Sequence, residues 1–395
     1  MGKKVLFTST AGLGHIHPTV PLARAMVARG HDVLWATPED GVSRVERAGI
    51  RAVSVAPPGL TRFPELLKRF PELEGLPPLE VGDVAFGKLF GAMVAPPMLA
   101  GLAPVASAWR PDLVVADAAD FAGHIVAAEL AVPSVTKGFG LQLPERRLAG
   151  AGEEVAPLWR SRGLEPRPYG GAYEHLYLDI YPPALGSPGA MDVPRRQLLR
   201  PVADDGQLET FGPPPVPDAR SGAPLVYVTM GTVFNNPEPF GMILAALDQL
   251  DARALVTVGP QAHPTSFGPQ PERVRIERYV PQRLVLPHCD AVVSHAGSGT
   301  VLAALTFGLS QLCIPQGADQ YLNAAAVASA GAGISLMPGE ATPEAVRDGV
   351  ARLLDDAAYR DAAGRVASSI ASMPSPDDVA AVLEDVQYAQ ATRIG

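Results

Sequence analysis

Cysteine is nearly missing from this chain: 2 residues in 395, Cys289 and Cys313. A single bridge is the most they could form, which excludes a disulfide framework, and their spacing is not that of a zinc site. Each lies beside an apolar run, so both read as buried free thiols of a reducing compartment. Positive charge is also scarce: 32 Lys and Arg face 41 Asp and Glu, a net charge of −9. That excludes the basic face on which nucleic-acid binding depends. It does not exclude an anionic ligand, because a helix N-terminus or a single His or Arg can hold phosphate locally. Long apolar runs are lacking too. The nearest candidate, residues 89–109, is interrupted by Pro96, Pro97 and Pro104, short of the roughly 18 uninterrupted residues that a membrane span needs. The opening Met-Gly-Lys-Lys-Val-Leu-Phe is too short an apolar stretch for a signal peptide and reads as a first strand. The expectation is a cytoplasmic protein without stable membrane insertion.

What is present is ample core material, 47% hydrophobic, in a chain long enough for two domains. The first half alternates strand and helix patterns. Strands are expected at Lys4–Ser9, His31–Ala36, Asp112–Ala116 and Pro133–Lys137, with helices at Pro18–Arg29 and Phe121–Leu130. Such alternation predicts a parallel sheet wrapped by helices. Residues 57–110, with Pro-broken apolar helices from 81, and the irregular segment 150–175 interrupt it; the first reads either as a binding insertion or as a helical cover over one sheet face. Three successive prolines at 213–215 favour a stiff connector over 206–223. A second series follows. Strands are expected at Leu225–Thr229, Ala254–Val258, Val274–Glu277, Ala291–Ser294 and Gln311–Ile314, with helices near 238–250, 299–307, 321–330, 343–354 and 357–371. Pro374-Ser-Pro376 stops the last of these, and Asp377 and Asp378 suit the start of a final helix to about residue 391. The fold class is therefore α/β, with two doubly wound domains at 1–205 and 224–375 and a terminal segment 376–395.

Gly12 and Gly14 follow the first strand with dinucleotide-fingerprint spacing, and Glu39 and Asp40 follow the second strand where a ribose-binding acid belongs. An NAD-dependent oxidoreductase is thus one reading, weakened because His17 stands at the third glycine position. The other reading uses His15, placed just before a helix at the carboxyl edge of the sheet. An imidazole there can take a proton near neutral pH if a carboxylate fixes its tautomer. Asp117 ends a strand on that edge, with Asp120 as its competitor. The bland alternative makes His15 a helix-capping or loop histidine.

In the second half, His295-Ala-Gly-Ser-Gly-Thr300 follows a buried strand and opens a helix. Gly297, Ser298, Gly299 and Thr300 offer backbone N–H groups and a positive helix end to a diphosphate, and His295 adds a donor. Gly231 and Thr232, after that domain's first strand, face the same anion. No Gly-Lys-Ser/Thr follows, so this is not a Walker loop. Asp319 and Gln320 suit vicinal sugar hydroxyls and are an odd choice for a nicotinamide. Tyr279 could pack near a base, the Val280 backbone could bond its edge, and Gln282 could reach a ribose. The bland readings are tight turns, a helix cap at Asp319 and an ordinary turn at Pro281.

Together, the segment from Tyr279-Val-Pro-Gln282 through the His295 loop to Asp319-Gln320 and Asn323 resembles the donor signature of inverting GT-B glycosyltransferases. That family includes bacterial antibiotic (natural-product) transferases and plant secondary-metabolite glucosyltransferases. The start Gly14-His-Ile-His-Pro18 is similar to the family's Gly-His-x-x-Pro. The resemblance implies two Rossmann-like domains facing a cleft. It implies an acceptor-binding N-terminal domain, a donor-binding C-terminal domain and a last helix packed back on the first domain. It implies His15 as general base with Asp117 as its partner. His295, Gly297, Ser298, Gly299 and Thr300 would hold the diphosphate, with Gly14, Gly231 and Thr232 counted among the donor-binding residues. Asp319 and Gln320 would contact the sugar, and Tyr279, Val280 and Gln282 the nucleoside. Plant members have Trp where this chain has Tyr279, the Gly-x-Pro before the next strand is Gly308-Leu-Ser310, and the glycine loop is Ala-Gly-Ser-Gly-Thr. The last departure resembles the bacterial branch, which implies a dTDP-linked sugar over a UDP-linked one. No metal or other cofactor is expected. The expected partners are the donor and a lipophilic acceptor such as a polyketide, and a homodimer stays open. A non-catalytic nucleotide-sugar-binding auxiliary protein and a C-linking enzyme on the same scaffold are the remaining alternatives.

Overall fold

The computed structural model describes residues 2–186, 191–203, 213–217, 222–231, 238–259 and 262–387. Much of the expected connector, 206–212 and 218–221, and the expected site residue Thr232 lie outside the described residues. The chain divides into two compact units. The first comprises Met1–Ile180, Gly189–Arg200 and Pro374–Gly395; the second comprises Tyr181–Pro188 and Pro201–Met373.

The first unit is built on strands β1 (Lys4–Thr8), β2 (Asp32–Pro38), β3 (Ala52–Ala56), β4 (Leu113–Asp117), β5 (Ser134–Lys137), β6 (Leu176–Asp179) and β7 (Arg196–Leu198). They form one sheet in the order β3-β2-β1-β4-β5-β6-β7, parallel throughout. Sequence order reverses between β1 and β4. The loops leaving the carboxyl ends of those two strands diverge there, and open parallel sheets bind ligands in that crevice. The helices are α1 (Leu13–Ile16), α2 (Val20–Ala28), α3 (Glu39–Arg47), α4 (Phe63–Arg69), α5 (Pro78–Phe86), α6 (Ala95–Trp109), α7 (Ala122–Leu130) and α8 (Glu145–Ser161). Their buried faces include Met98, Leu99 and Leu102 of α6 and Ile125 of α7, which close over Leu6, Leu34 and Val114.

Two sequence expectations need correction here. The segment 81–110 is not broken at its prolines: Glu80–Trp109 is one helix of 30 residues. A π-helical stretch, Gly87–Val94, precedes α6. Pro96 and Pro97 closely follow the π-helical stretch, where the regular i→i−4 ladder is already interrupted and a missing N–H costs less than in an ordinary helix interior. Length and composition would let this helix cross a membrane, although Val94, Ala95, Met98 and Leu102 are buried in the core. The segment 150–175 is not irregular from its start, because α8 runs on to Ser161 with Pro157 inside it. Close approach explains one glycine of α6: a Cβ on Gly101 would lie 2.0 Å from the Val55 carbonyl oxygen of β3. Gly101→Ala is expected to push the helix off the sheet and cost about 1–3 kcal/mol, read as a lower urea midpoint with unchanged slope.

The second unit repeats the plan with β8 (Leu225–Thr229), β9 (Arg253–Thr257), β10 (Val274–Glu277), β11 (Ala291–Ser294), β12 (Ser310–Cys313) and β13 (Gly333–Ser335). The order is β10-β9-β8-β11-β12-β13, again parallel, with the reversal between β8 and β11. Its helices are α9 (Glu238–Asp248), α10 (Gln282–Val285), α11 (Ser298–Thr306), α12 (Gln320–Ser329), α13 (Pro343–Asp355) and α14 (Ala357–Ser372). Cys289 and Cys313 are buried free thiols. The last helix, α15 (Pro376–Glu384), belongs to the first unit. A capping box between Ser375 and Asp378 starts it. Glu384 accepts hydrogen bonds from Arg29 Nε (2.8 Å) and His31 Nε2 (3.1 Å), which tie it to the end of α2.

Candidate active site

In the first unit the chain leaves β1, caps α1 with Gly12 and places His15 inside that single turn. A Cβ on Gly12 would meet the His15 ring at 2.9 Å, so glycine lets the imidazole fold back over the loop. Asp117, the last residue of β4, is fully buried at its side chain, while that of His15 is 16% exposed. His15 Nδ1 lies 2.8 Å from Asp117 Oδ1, which also accepts from the Ala119 N–H. An ionised carboxylate only accepts. The proton of a neutral His15 therefore sits on Nδ1, and the Nε2 lone pair is left for a substrate proton. Phe139 and Phe90 flank the ring, with centroids 4.5 and 5.8 Å away. Asp120 is not the partner: its Oδ1 accepts from the Ala122 N–H, and burial raises its carboxyl to about 6. Gly14 lies in α1 with open space around it.

The second unit brings its two loops together around one imidazole. A Cβ on either Gly231 or Gly297 would lie 2.6 Å from the His295 ring, so both positions need glycine for the ring to fit. Gly231 also has a positive φ of 77°. Ala296, between His295 and Gly297, is left-handed at φ 60°, a conformation that costs a residue with a Cβ and clusters at ligand sites. Burial lowers His295 to about 4, with Asp319 pulling the other way, so the ring is neutral at pH 7. Its Nδ1 has no hydrogen-bond partner. Gly297 then caps α11 without any side-chain hydrogen bond, which leaves the first-turn N–H groups open to an anion.

Several expected ligand-binding side chains are engaged with one another. The Ser298 hydroxyl donates to Asp319 Oδ2 (2.7 Å), and Gln282 Nε2 donates to Thr300 Oγ1 (3.0 Å). Gln320 is buried, and its Oε1 accepts from the N–H groups of Gln316 and Gly317 at 2.8 and 3.1 Å. Its carboxamide oxygen thus holds the loop rather than standing open beside Asp319. The Val280 side chain is in the core, leaving only its backbone for a ligand, while Tyr279 is exposed. Sequence reasoning counted Asn323 in the donor signature but gave no role to this organising residue. It is fully buried and donates to the Ala296 carbonyl, Ser298 Oγ and Asp319 Oδ2 at 2.9–3.0 Å. It also accepts from the Tyr181 hydroxyl at 3.2 Å. Its i,i+4 spacing from Asp319 on α12 was the available signal. Among the described residues, no group of three or more His, Cys, Asp or Glu is placed to hold a metal ion.

Comparison with known proteins bears on this geometry. The chain matches the erythromycin biosynthesis protein CIII-like family at its N-terminal domain over residues 85–163 and at its C-terminal domain over 241–386. It is 36% identical to the elloramycin glycosyltransferase of Streptomyces olivaceus, covering 96% of both chains. The crystal structure of the glycosyltransferase SnogD from Streptomyces nogalater aligns with a TM-score of 0.77 at 28% identity, over 97% of this chain and 99% of that one. The Streptomyces sp. SF2575 glycosyltransferase SsfS6, complexed with thymidine diphosphate, aligns at 0.76 and 26% identity, over 97% and 100%. The oxidoreductase reading is overturned. These relatives are glycosyltransferases, Gly12 and Gly14 frame a histidine-bearing turn, and Glu39 and Asp40 are exposed in the first turn of α3. The chain is an enzyme of the erythromycin biosynthesis protein CIII-like family of natural-product glycosyltransferases, with the GT-B fold.

Proposed function

We propose that this enzyme transfers a sugar, with inversion, from a dTDP-linked donor to a hydroxyl of a lipophilic, polyketide-like aglycone. The observation that carries the reading is the His15 Nδ1–Asp117 Oδ1 contact of 2.8 Å. It leaves Nε2 as a base beside the apolar rings of Phe90 and Phe139, surroundings that suit an aromatic acceptor. In this reading residues 1–205 bind the acceptor and 224–375 the donor. His15 removes the hydroxyl proton as the oxygen attacks the anomeric carbon from the face opposite the diphosphate. Oriented binding supplies much of the rate, and a positioned base adds about 10²–10⁴-fold.

The departing diphosphate needs charge stabilisation. The open N–H groups and dipole of α11 supply it, together with His295 through Nδ1. Asp319 contacts the sugar through the oxygen that Ser298 and Asn323 do not hold. Gln320 keeps the Asp319 loop in shape, and the turn at Tyr279–Gln282 carries the nucleoside. The thymidine diphosphate bound by SsfS6 supports a dTDP donor.

The test is a thermal-shift titration with dTDP-glucose, UDP-glucose and ADP-glucose in the presence of a chelator. A ligand at about 100 times its Kd stabilises by about 2.7 kcal/mol. A larger shift with dTDP-glucose than with UDP-glucose is expected; the reverse order removes the dTDP assignment. Loss of the shift in chelator removes metal independence. Binding of dTDP-glucose is also expected to tighten from pH 8 to pH 6. Its diphosphate diester does not titrate there, whereas His295, neutral when free, gains a proton to donate. Affinity that is flat over this range removes His295 from the phosphate contacts.

A further inference from the structure

Lys137 is the last residue of β5 and is fully buried. Lysine is almost never fully buried unless paired, yet its Nζ has no hydrogen-bond partner. Its register partner across the parallel ladder is Asp117, the last residue of β4. Register partners in adjacent strands stand on the same face of a sheet. The Ala118 N–H donates to the Lys137 carbonyl at 2.9 Å and locks the two strand ends in register. Asp117 Oδ1 is taken by His15 and the Ala119 N–H, while its Oδ2 is buried without a partner. On the other side, β6 offers Lys137 only the apolar Leu178 in register. The charged group acting on Lys137 is Asp117, with His15 beyond it and the buried Asp120 carboxyl as a second titratable neighbour of the same carboxylate. Nothing in the mechanism above uses this lysine.

We propose that Lys137 is a positioning residue of the acid–base pair: its ammonium balances the charge of Asp117 and thereby keeps His15 deprotonated and available as a base. Beside an uncompensated buried carboxylate, an imidazole is driven to its protonated form, and a protonated imidazole cannot accept the acceptor's proton. A cation on the far side of the carboxylate removes that drive without displacing the hydrogen bond that fixes the tautomer. Burial lowers Lys137 to about 7, with Asp117 opposing the fall, so the lysine is charged across the acidic range in which an imidazole takes up its proton. The role as a base rests on the transferase reading; the charge balance does not.

The experiment is an NMR titration of the free protein labelled at histidine Cε1, with the His15 resonance identified by its loss in His15→Gln. Lys137→Met is expected to raise the His15 midpoint by roughly one pH unit, while Lys137→Arg, which keeps the charge, leaves it near the wild-type value. An unmoved midpoint in folded Lys137→Met overturns the proposal, as does an equal rise in Lys137→Arg. Should Lys137→Met not fold, Lys137→Gln tests the same loss of charge. The Nζ resonance of Lys137 in the wild-type protein gives a second readout, and a lysine already neutral where His15 titrates overturns the proposal. In a transfer assay with dTDP-glucose and a phenolic probe acceptor, 4-methylumbelliferone, the acid limb of kcat/KM moves up with the NMR midpoint. A limb that stays in place while the midpoint moves overturns the role of His15 as the base and leaves the charge balance standing.

Discussion

Replacing His15 with alanine lowers kcat by about 10²–10⁴-fold, the usual contribution of a positioned base. The thermal shift produced by dTDP-glucose stays at its wild-type size. The split follows from the geometry: His15 lies in the single turn α1 of the first unit, whereas the Gly231, His295 and α11 cluster belongs to the second. Asp117→Asn is expected to be nearly as damaging. A carboxamide oxygen in the Oδ1 place still accepts from Nδ1 and from the Ala119 N–H, but it carries no negative charge to stabilise the imidazolium that forms as the proton is taken. Single-turnover transfer measured alongside donor binding checks both variants. Turnover near the wild-type value in His15→Ala would falsify the assignment of the base.

Asn323→Ala has the second large effect, and it falls on stability and donor binding together. The substitution removes four hydrogen bonds from a fully buried position, to Ala296, Ser298, Asp319 and Tyr181. Lost buried partners of this kind cost about 1–3 kcal/mol each before relaxation, so a net loss of about 2–4 kcal/mol is expected in urea unfolding. With Asn323 gone, nothing holds the strained Ala296 carbonyl to α12, and the N–H groups of α11 lose their fixed aim. Calorimetry should show dTDP affinity falling by about tenfold or more, equivalent to at least 1.4 kcal/mol. A variant that is destabilised but binds dTDP normally would show that Asn323 serves only the fold.

The sheets were legible because their strands are buried on both faces and read as continuous apolar runs between glycine loops. Val274–Glu277 and Ala291–Ser294 coincide with β10 and β11. The strands that were missed lie toward sheet edges or are short: β3 and β7 end the first sheet, and β13 ends the second with three residues. The helix through Pro96 and Pro97 was misjudged because the π-helical stretch ahead of them already interrupts the regular ladder, and no sequence pattern announces that stretch. At the site, the residue types that carry chemistry were readable from position alone. Which oxygen of Asp319 is spent, that Gln320 turns inward and that Lys137 stands in register with Asp117 depend on rotamers and on strand register. Those are settled by packing across elements far apart in sequence.

The placement of α15 has a consequence for how the protein is made. Its residues follow the whole second unit in sequence, yet it packs on α2 and is held by Arg29 and His31. A ribosome delivers the chain N-terminus first, and domains usually fold as they emerge. Here the second unit can be complete while the first still waits for a face. Until residues 376–384 have left the exit tunnel, α2 lacks its cover, and the nascent first unit exposes apolar surface to chaperones. Expression of residues 1–200 alone would reproduce that unfinished state permanently.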